Sequence, residues 1–353
     1  MLQILAWLCI GVIAALALGR LYQKLGTRRD GERFPPPGRL VDIGTHRLHV
    51  LEQGSDGPTV VLEAGLMSTV LSWDKLQCEL AQSYRVVSYD RAGLGWSDLG
   101  PMPRTSDRIV DELHTLLRRA GAAPPYILVG HSFGGLTVPL FAARFPEETA
   151  GMVLVDPVAP KEWNPPSEHD RKLTRIGATV CRRAAFLSRA GLVRFVSFLL
   201  TTRLKSVAAH LVRLISRGAP ADAGSVSSPW FSALPEKERG MAAIFWVQEK
   251  FALTIASQLE NLPKSAARAA RLNGPADKPV VILSASTAPE KRRREHAAMA
   301  ARLPLGRYVA ADGSNHWIMQ SEPELVIGAI RKVAAHLEER REGFFEMALS
   351  SSD

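Results

Sequence analysis

The sequence predicts an α/β fold: a mostly parallel central sheet with helices on both faces, a helical cap inserted into it, and a membrane-spanning helix in front. Three observations predict this. Short apolar runs alternate with stretches of helical spacing, the pattern of a parallel sheet covered on both faces. One of these runs, Tyr126 to Val129, passes through Gly130-His131-Ser132-Phe133-Gly134 into a helical stretch, Leu136 to Phe145. The alternation stops after Asp156 and resumes near Pro279, so the residues between are an insertion into one fold rather than a second independent domain.

Taken in order, residues 1–20 are expected to be a transmembrane anchor. Met1 to Gly19 carries no charged side chain. As a helix it spans about 28 Å, close to the hydrocarbon thickness of a bilayer. Arg20, Lys24, Arg28 and Arg29 follow and no basic side chain precedes, which orients the downstream domain to the cytoplasm in a single-pass protein. The alternative is export through a signal peptide cut near Ala15-Leu16-Ala17, but the positive leading segment such peptides carry is missing. Residues 21–38 are expected to be a linker, charged at first and then stiffened by Pro35-Pro36-Pro37.

The first part of the folded core is assigned to residues 39–156. Leu40 to Ile43 and Arg47 to Glu52 form a hairpin turning at Gly44. Thr59 to Glu63, Arg85 to Tyr89, Tyr126 to Val129 and Met152 to Val155 are buried strands. Trp73 to Ala81 and Ile109 to Ala120 have helical spacing. Residues 157–264 show helical texture without a convincing strand and are read as a cap over the carboxyl ends of the strands, where open α/β sheets bind ligands. The core resumes over residues 265–340, with strands at Pro279 to Leu283 and Arg307 to Ala311 and a closing helix from Leu325 to Leu337. Residues 341–353 are expected to be a loose tail.

Charge and cysteines narrow the function. From Arg171 to Arg217 there are eleven Arg or Lys and no Asp or Glu, more than the whole net charge of +9, so the excess belongs to one segment of the cap. Leu, Val, Phe and Ala recur at helical spacing within it, which favours contact with a membrane surface over nucleic acid. Cys9, Cys78 and Cys181 are scattered and form neither metal-ligand spacing nor a disulfide framework. No His-Glu-x-x-His or phosphate-cradling loop is present, so neither a metal nor a cofactor is expected.

Three motifs carry a family resemblance: Gly130-His131-Ser132-Phe133-Gly134-Gly135, Tyr89-Asp90-Arg91-Ala92-Gly93-Leu94-Gly95-Trp96-Ser97, and Gly313-Ser314-Asn315-His316-Trp317. From about Arg39 to Leu337 the chain resembles a capped, single-domain α/β-hydrolase. The strand–turn–helix context pushes the Ser132 hydroxyl out over the end of the sheet, as the nucleophile of this fold requires. A serine needs a base, and the base needs a group to orient it. The resemblance implies that His316, just beyond the last strand, is that base.

The acid departs from the common pattern. The position the family usually gives to aspartate falls here on Ala288. Asp156, at the end of the strand after the nucleophile helix, is the preferred acid, because a branch of the capped hydrolases draws its acid from that strand end. Glu290 comes second and Asp312, on the histidine loop, third. Asp156 also has a simpler reading, as the residue that orders a turn with Pro157. The resemblance further implies an oxyanion hole of two backbone N–H groups, those of Phe133 and Leu66. His131, Asp90, Arg91 and Ser97 are assigned structural roles.

The expected activity is cleavage of carboxylic esters through an acyl-enzyme. Trp163, Trp230, Phe231, Trp246 and Phe251 of the cap would supply an apolar pocket for a small lipophilic ester. The membrane would be met through residues 1–20 and the basic part of the cap. An amidase or aminopeptidase, a carbon–carbon bond hydrolase and a cofactor-free haloperoxidase share these groups. A ligand-binding receptor with an idle triad is the alternative outside enzymes.

Overall fold

The computed structural model describes residues 1–200 and 236–350. Eight strands, β1 (Arg39–Asp42), β2 (Arg47–Gln53), β3 (Thr59–Glu63), β4 (Arg85–Tyr89), β5 (Tyr126–His131), β6 (Thr149–Val155), β7 (Val280–Ala285) and β8 (Gly306–Ala311), form one sheet. They lie in the order β1-β2-β4-β3-β5-β6-β7-β8. The β1–β2 hairpin is antiparallel, Asp42 faces Arg47, and the turn uses Gly44 at φ +103°. β2 joins β4 antiparallel, and every pairing from β4 to β8 is parallel.

Both faces of the parallel part are covered, so β3, β5, β6 and β7 are buried along their whole length. The pleat sorts their side chains. Val60, Ile127, Val129, Val153 and Val155 enter one core. The alternating residues Val61, Leu128, Met152 and Leu154 enter the other. Helix α2 (Asp74–Leu80) and a long C-terminal helix cover the first face; α3 (Ser106–Ala120), α4 (Gly134–Arg144) and a helix over Glu290–Ala301 cover the second. α3 is bounded as its sequence dictates. The Thr105 side chain accepts from the Arg108 N–H at its start, and Gly121 ends it in the left-handed conformation.

The cap contains α5 (Glu168–Arg189), α6 (Leu192–Leu200), α7 (Glu236–Trp246) and α8 (Glu249–Ala269). α8 is fastened to the loop after β4. The Lys250 ammonium donates to the Gly95 and Ser97 carbonyls at 2.8 and 2.7 Å. The Ser257 and Ser265 hydroxyls accept from the Arg104 and Ser106 amides. The cap is therefore held over the carboxyl ends of the strands by directional bonds as well as by packing.

Two expectations are corrected. The N-terminal helix α1 runs unbroken from Leu2 to Arg33, where a linker from residue 21 was expected. Nothing in Arg20 to Arg33 forbids a helix. The first breaker is Pro35, which excludes helical backbone at Phe34. α1 is long and apolar enough to cross a membrane, and residues 2–18 of it are exposed. At the other end, the helix that begins at Pro323 continues to Ser350, past the expected stop at Leu337. Apolar periodicity fades there, but the Glu, Arg and Leu residues that follow are good helix formers.

Candidate active site

The end of β5 and the start of α4 form a sharp turn with Ser132 at its apex, at φ +51°. This left-handed backbone costs a side-chain-bearing residue about 1–2 kcal/mol. Three backbone bonds hold it: the Ser132 N–H donates to the Val155 carbonyl at 3.1 Å, and the Ser132 carbonyl accepts from the Gly135 and Val158 N–H groups, each at 2.9 Å. The arms of the turn approach so closely that a Cβ at Gly130 would lie 2.7 Å from the Gly134 carbonyl oxygen, and one at Gly134 2.6 Å from that of Glu63. Ser132 itself is half-buried and reachable.

Asp156 follows β6 directly and is another such residue, at φ +40°. Its Oδ2 meets Nδ1 of His316 at 2.5 Å, and its Oδ1 accepts from the Ala285 N–H at 3.0 Å. Burial alone would raise its pKa. The hydrogen bond and charge of His316, together with the Ala285 N–H, outweigh burial and hold the carboxyl below its ordinary value. Asp156 is only 2% exposed, whereas His316 is 39% exposed. With Nδ1 engaged by Asp156, Nε2 is the nitrogen left for other partners.

Of the three candidate acids, the structure brings Asp156 to His316. Glu290 sits on the surface in an ion pair with Arg294, one helical turn on, and Asp312 is exposed. Ala288 is buried in the core.

His131 ties the histidine loop to the serine turn. Its Nε2 donates to the His316 carbonyl at 2.9 Å, and its ring centroid lies 4.7 Å from those of both His316 and Trp317. Burial, with some help from nearby His316, pushes its pKa down to about 3. The unfolded chain therefore binds a proton below about pH 6.5 that the native state refuses until about pH 3, and stability is lost as pH falls through that window. Between pH 7 and 5 the wild type is expected to lose about 2 kcal/mol more than His131→Gln. Urea unfolding at the two pH values measures this; equal losses would contradict it.

The loop after β3 lies against the same turn. A Cβ on Gly65 would be 2.8 Å from His131 Nδ1 and 3.3 Å from the Ser132 Cβ. Arg91, buried, fixes this loop: its guanidinium donates to Glu63 and the Ala64 carbonyl, each at 2.8 Å, and to the Gly65 carbonyl. The Tyr89 hydroxyl donates to the other Glu63 oxygen. Asp90 accepts from the Val70 and Trp96 amides, and the Ser97 hydroxyl donates to the Asp90 carbonyl. These are the structural roles expected of Asp90, Arg91 and Ser97. Glu63, which the sequence marks only as a strand end, is the centre of the bonding. Among the described residues, neither the Leu66 nor the Phe133 amide donates to a protein acceptor.

Apolar side chains surround this place. Phe245, Phe251, Ile255, Leu71 and Leu94 cluster with Leu66, Trp246 and Trp317. Leu262, Leu136 and Phe133 cluster with Leu66 and Trp163. Leu66 belongs to both groups, so the cap's inner face meets the core at the oxyanion-loop candidate. Trp230 and Phe231, and Arg203, Lys205, Arg213 and Arg217 of the basic segment, lie outside the described residues.

This fold, with its serine turn and adjoining His–Asp pair, defines a class. The model of the alpha/beta hydrolase family matches residues 60–329, and the chain belongs to that family. Over 105 residues it is 39% identical to the uncharacterized protein YqjL of Bacillus subtilis, a match covering 30% of this chain and 42% of that one. The match thus spans less than half of that relative. A thermophilic esterase from Thermogutta terrifontis is similar in structure, with a TM-score of 0.53 and 22% identity over 85% of this chain and 99% of that one. The epoxide hydrolase VrEH1 from Vigna radiata matches with a TM-score of 0.57 and 21% identity, covering 86% of this chain and 97% of that one. At these identities the likeness is one of fold.

Proposed function

We propose that this chain is a membrane-anchored serine hydrolase that cleaves carboxylic esters of lipophilic substrates through an acyl-enzyme. The observation that carries the reading is the His316–Asp156 hydrogen bond beside the strained Ser132 turn. In this reading His316 Nε2 takes the Ser132 proton as the hydroxyl attacks the ester carbonyl. The oxyanion accepts from the Leu66 and Phe133 amides. His316 then gives the proton to the leaving alcohol, and water, deprotonated by His316, releases the acid. Asp156 keeps the imidazole oriented and balances its charge while it holds the proton.

The nucleophile separates this reading from epoxide opening, the activity named for one structural neighbour. A serine that attacks a saturated carbon leaves an ether, which water does not cleave. A serine that attacks an acyl carbon leaves an ester, which the same histidine can help hydrolyse. Ser132 therefore favours acyl transfer. The apolar cap clusters and the anchor helix support a lipophilic substrate.

A panel of p-nitrophenyl esters of increasing chain length, alongside the matching anilides, tests this. Turnover is expected on the esters, improving with chain length, and the wild type is expected to label with a fluorophosphonate probe. Absence of both turnover and labelling would favour a binding protein with an idle site.

A further inference from the structure

The stretch of α1 from Gly19 to Asp30 is packed on the cap. Gly19, Gln23, Gly26, Thr27 and Asp30 recur at helical spacing and form the seam. A Cβ at Gly19 would lie 2.1 Å from the Ala190 carbonyl oxygen, and one at Gly26 2.7 Å from Arg194 Nε. Arg194 donates to Gln23 and Thr27 and pairs with Asp30 at 2.7 Å, with both charged groups largely buried. The Gln23 amide donates to the Val247 carbonyl. The anchor and the cap therefore meet along a bonded, close-packed seam.

This seam fixes a height. The uncharged run of α1 ends at Gly19, and Gly19 is the residue that touches the corner between α5 and α6, at Ala190-Gly191. The corner thus lies where the apolar span ends, at the level of the lipid headgroups. Within one turn on either side stand Phe186, 66% exposed, and Phe195, 46% exposed. Leu21, Tyr22 and Leu25 of α1 are also exposed at this level. Arg182, Arg183 and Arg189 are exposed on α5, Arg182 paired with Glu260 and Arg189 within 3.8 Å of Glu249, both on α8; α5 beyond Arg171 and α6 carry no acidic residue of their own. Large apolar side chains beside exposed basic residues, at the point where a helix leaves the hydrocarbon, are the chemistry of an interfacial element on an anionic leaflet.

We propose that the α5–α6 corner is a wedge inserted into an anionic bilayer surface, with Phe186 and Phe195 below the phosphates, held at that depth by the α1 seam. This rests on the reading of α1 as a membrane anchor, not on the ester chemistry. It deepens the proposed function by keeping the cap at the lipid surface, so that an acyl substrate can reach it from the leaflet without crossing water.

The test uses the full chain with Cys9, Cys78 and Cys181 replaced by Ala, in nanodiscs of phosphatidylcholine and phosphatidylglycerol. Nitroxide labels are placed singly on Phe186→Cys, Phe195→Cys and Leu305→Cys. Leu305 is exposed at the amino end of β8, opposite the cap. The measurement is the ratio of collisions with oxygen to collisions with a soluble nickel chelate. Labels at 186 and 195 are expected to give a ratio severalfold above that at 305, and Gly26→Leu, which fills the seam, is expected to lower it. Ratios equal to that at 305 would overturn insertion; high ratios unchanged by Gly26→Leu would overturn control of depth by the seam. Fluorophosphonate labelling in the same discs reports on Ser132 separately, so loss of that signal alone bears on the hydrolase reading.

Discussion

Ser132→Ala is expected to lower kcat/KM on a p-nitrophenyl ester by roughly five to six powers of ten and to abolish fluorophosphonate labelling. The magnitude follows from removal of the only atom that can form the acyl-enzyme, leaving the oxyanion amides and binding to give a small residual rate. The fold should survive, because the bonds that hold the turn are made by the Ser132 backbone and the tight contacts by its glycine neighbours. Ser132→Gly is expected to be equally inactive but more stable. It relieves the left-handed strain at φ +51°, about 1–2 kcal/mol, partly offset by about 0.5–1 kcal/mol of added chain entropy. Thermal unfolding should place the glycine variant at or above the wild type and the alanine variant no higher than it. Retention of more than a trace of turnover in either variant would remove Ser132 from the proposed mechanism.

The parts of the molecule that could be read in advance are those whose cause is local. The apolar runs of β3, β5, β6 and β7 announce burial on both faces, and the glycines around Ser132 announce two backbones in close approach. Asp156 was legible at one remove: it ends an apolar strand before Pro157, while the more usual acid position holds Ala288. The distant partners were less legible. Nothing near Gln23 or Arg194 signals that they bond across 171 positions of chain. The residues that join α1 to the cap therefore looked like a charged linker. Glu63 was similarly silent, because a carboxylate at a strand end is ordinary until Tyr89 and Arg91 close around it. Local pattern found the catalytic candidates, and tertiary packing decided how the chain presents them.

Asp156→Asn is expected to lower turnover by about three to four powers of ten while leaving the fold intact. The asparagine oxygen can still accept from the Ala285 N–H, so the turn after β6 keeps its anchor. The change falls on His316. A carboxylate accepts from Nδ1 and leaves Nε2 free to accept a proton. An asparagine amide that donates to Nδ1 favours the opposite tautomer, in which Nε2 already carries hydrogen and cannot receive the Ser132 proton. KM should move little, because the substrate does not touch Asp156. Glu290→Gln removes only an exposed pair with Arg294 and is expected to leave turnover within about twofold. The reverse outcome would transfer the acid role to Glu290. The Asp156–His316 pair also contributes an acid limb to stability. Because the folded carboxyl lies below its ordinary value, its contribution is present above about pH 3.9 and is lost as pH falls through the lower folded value. The asparagine variant lacks this titration, so its unfolding free energy should fall less steeply than that of the wild type at the acid end, even as its turnover is reduced at every pH.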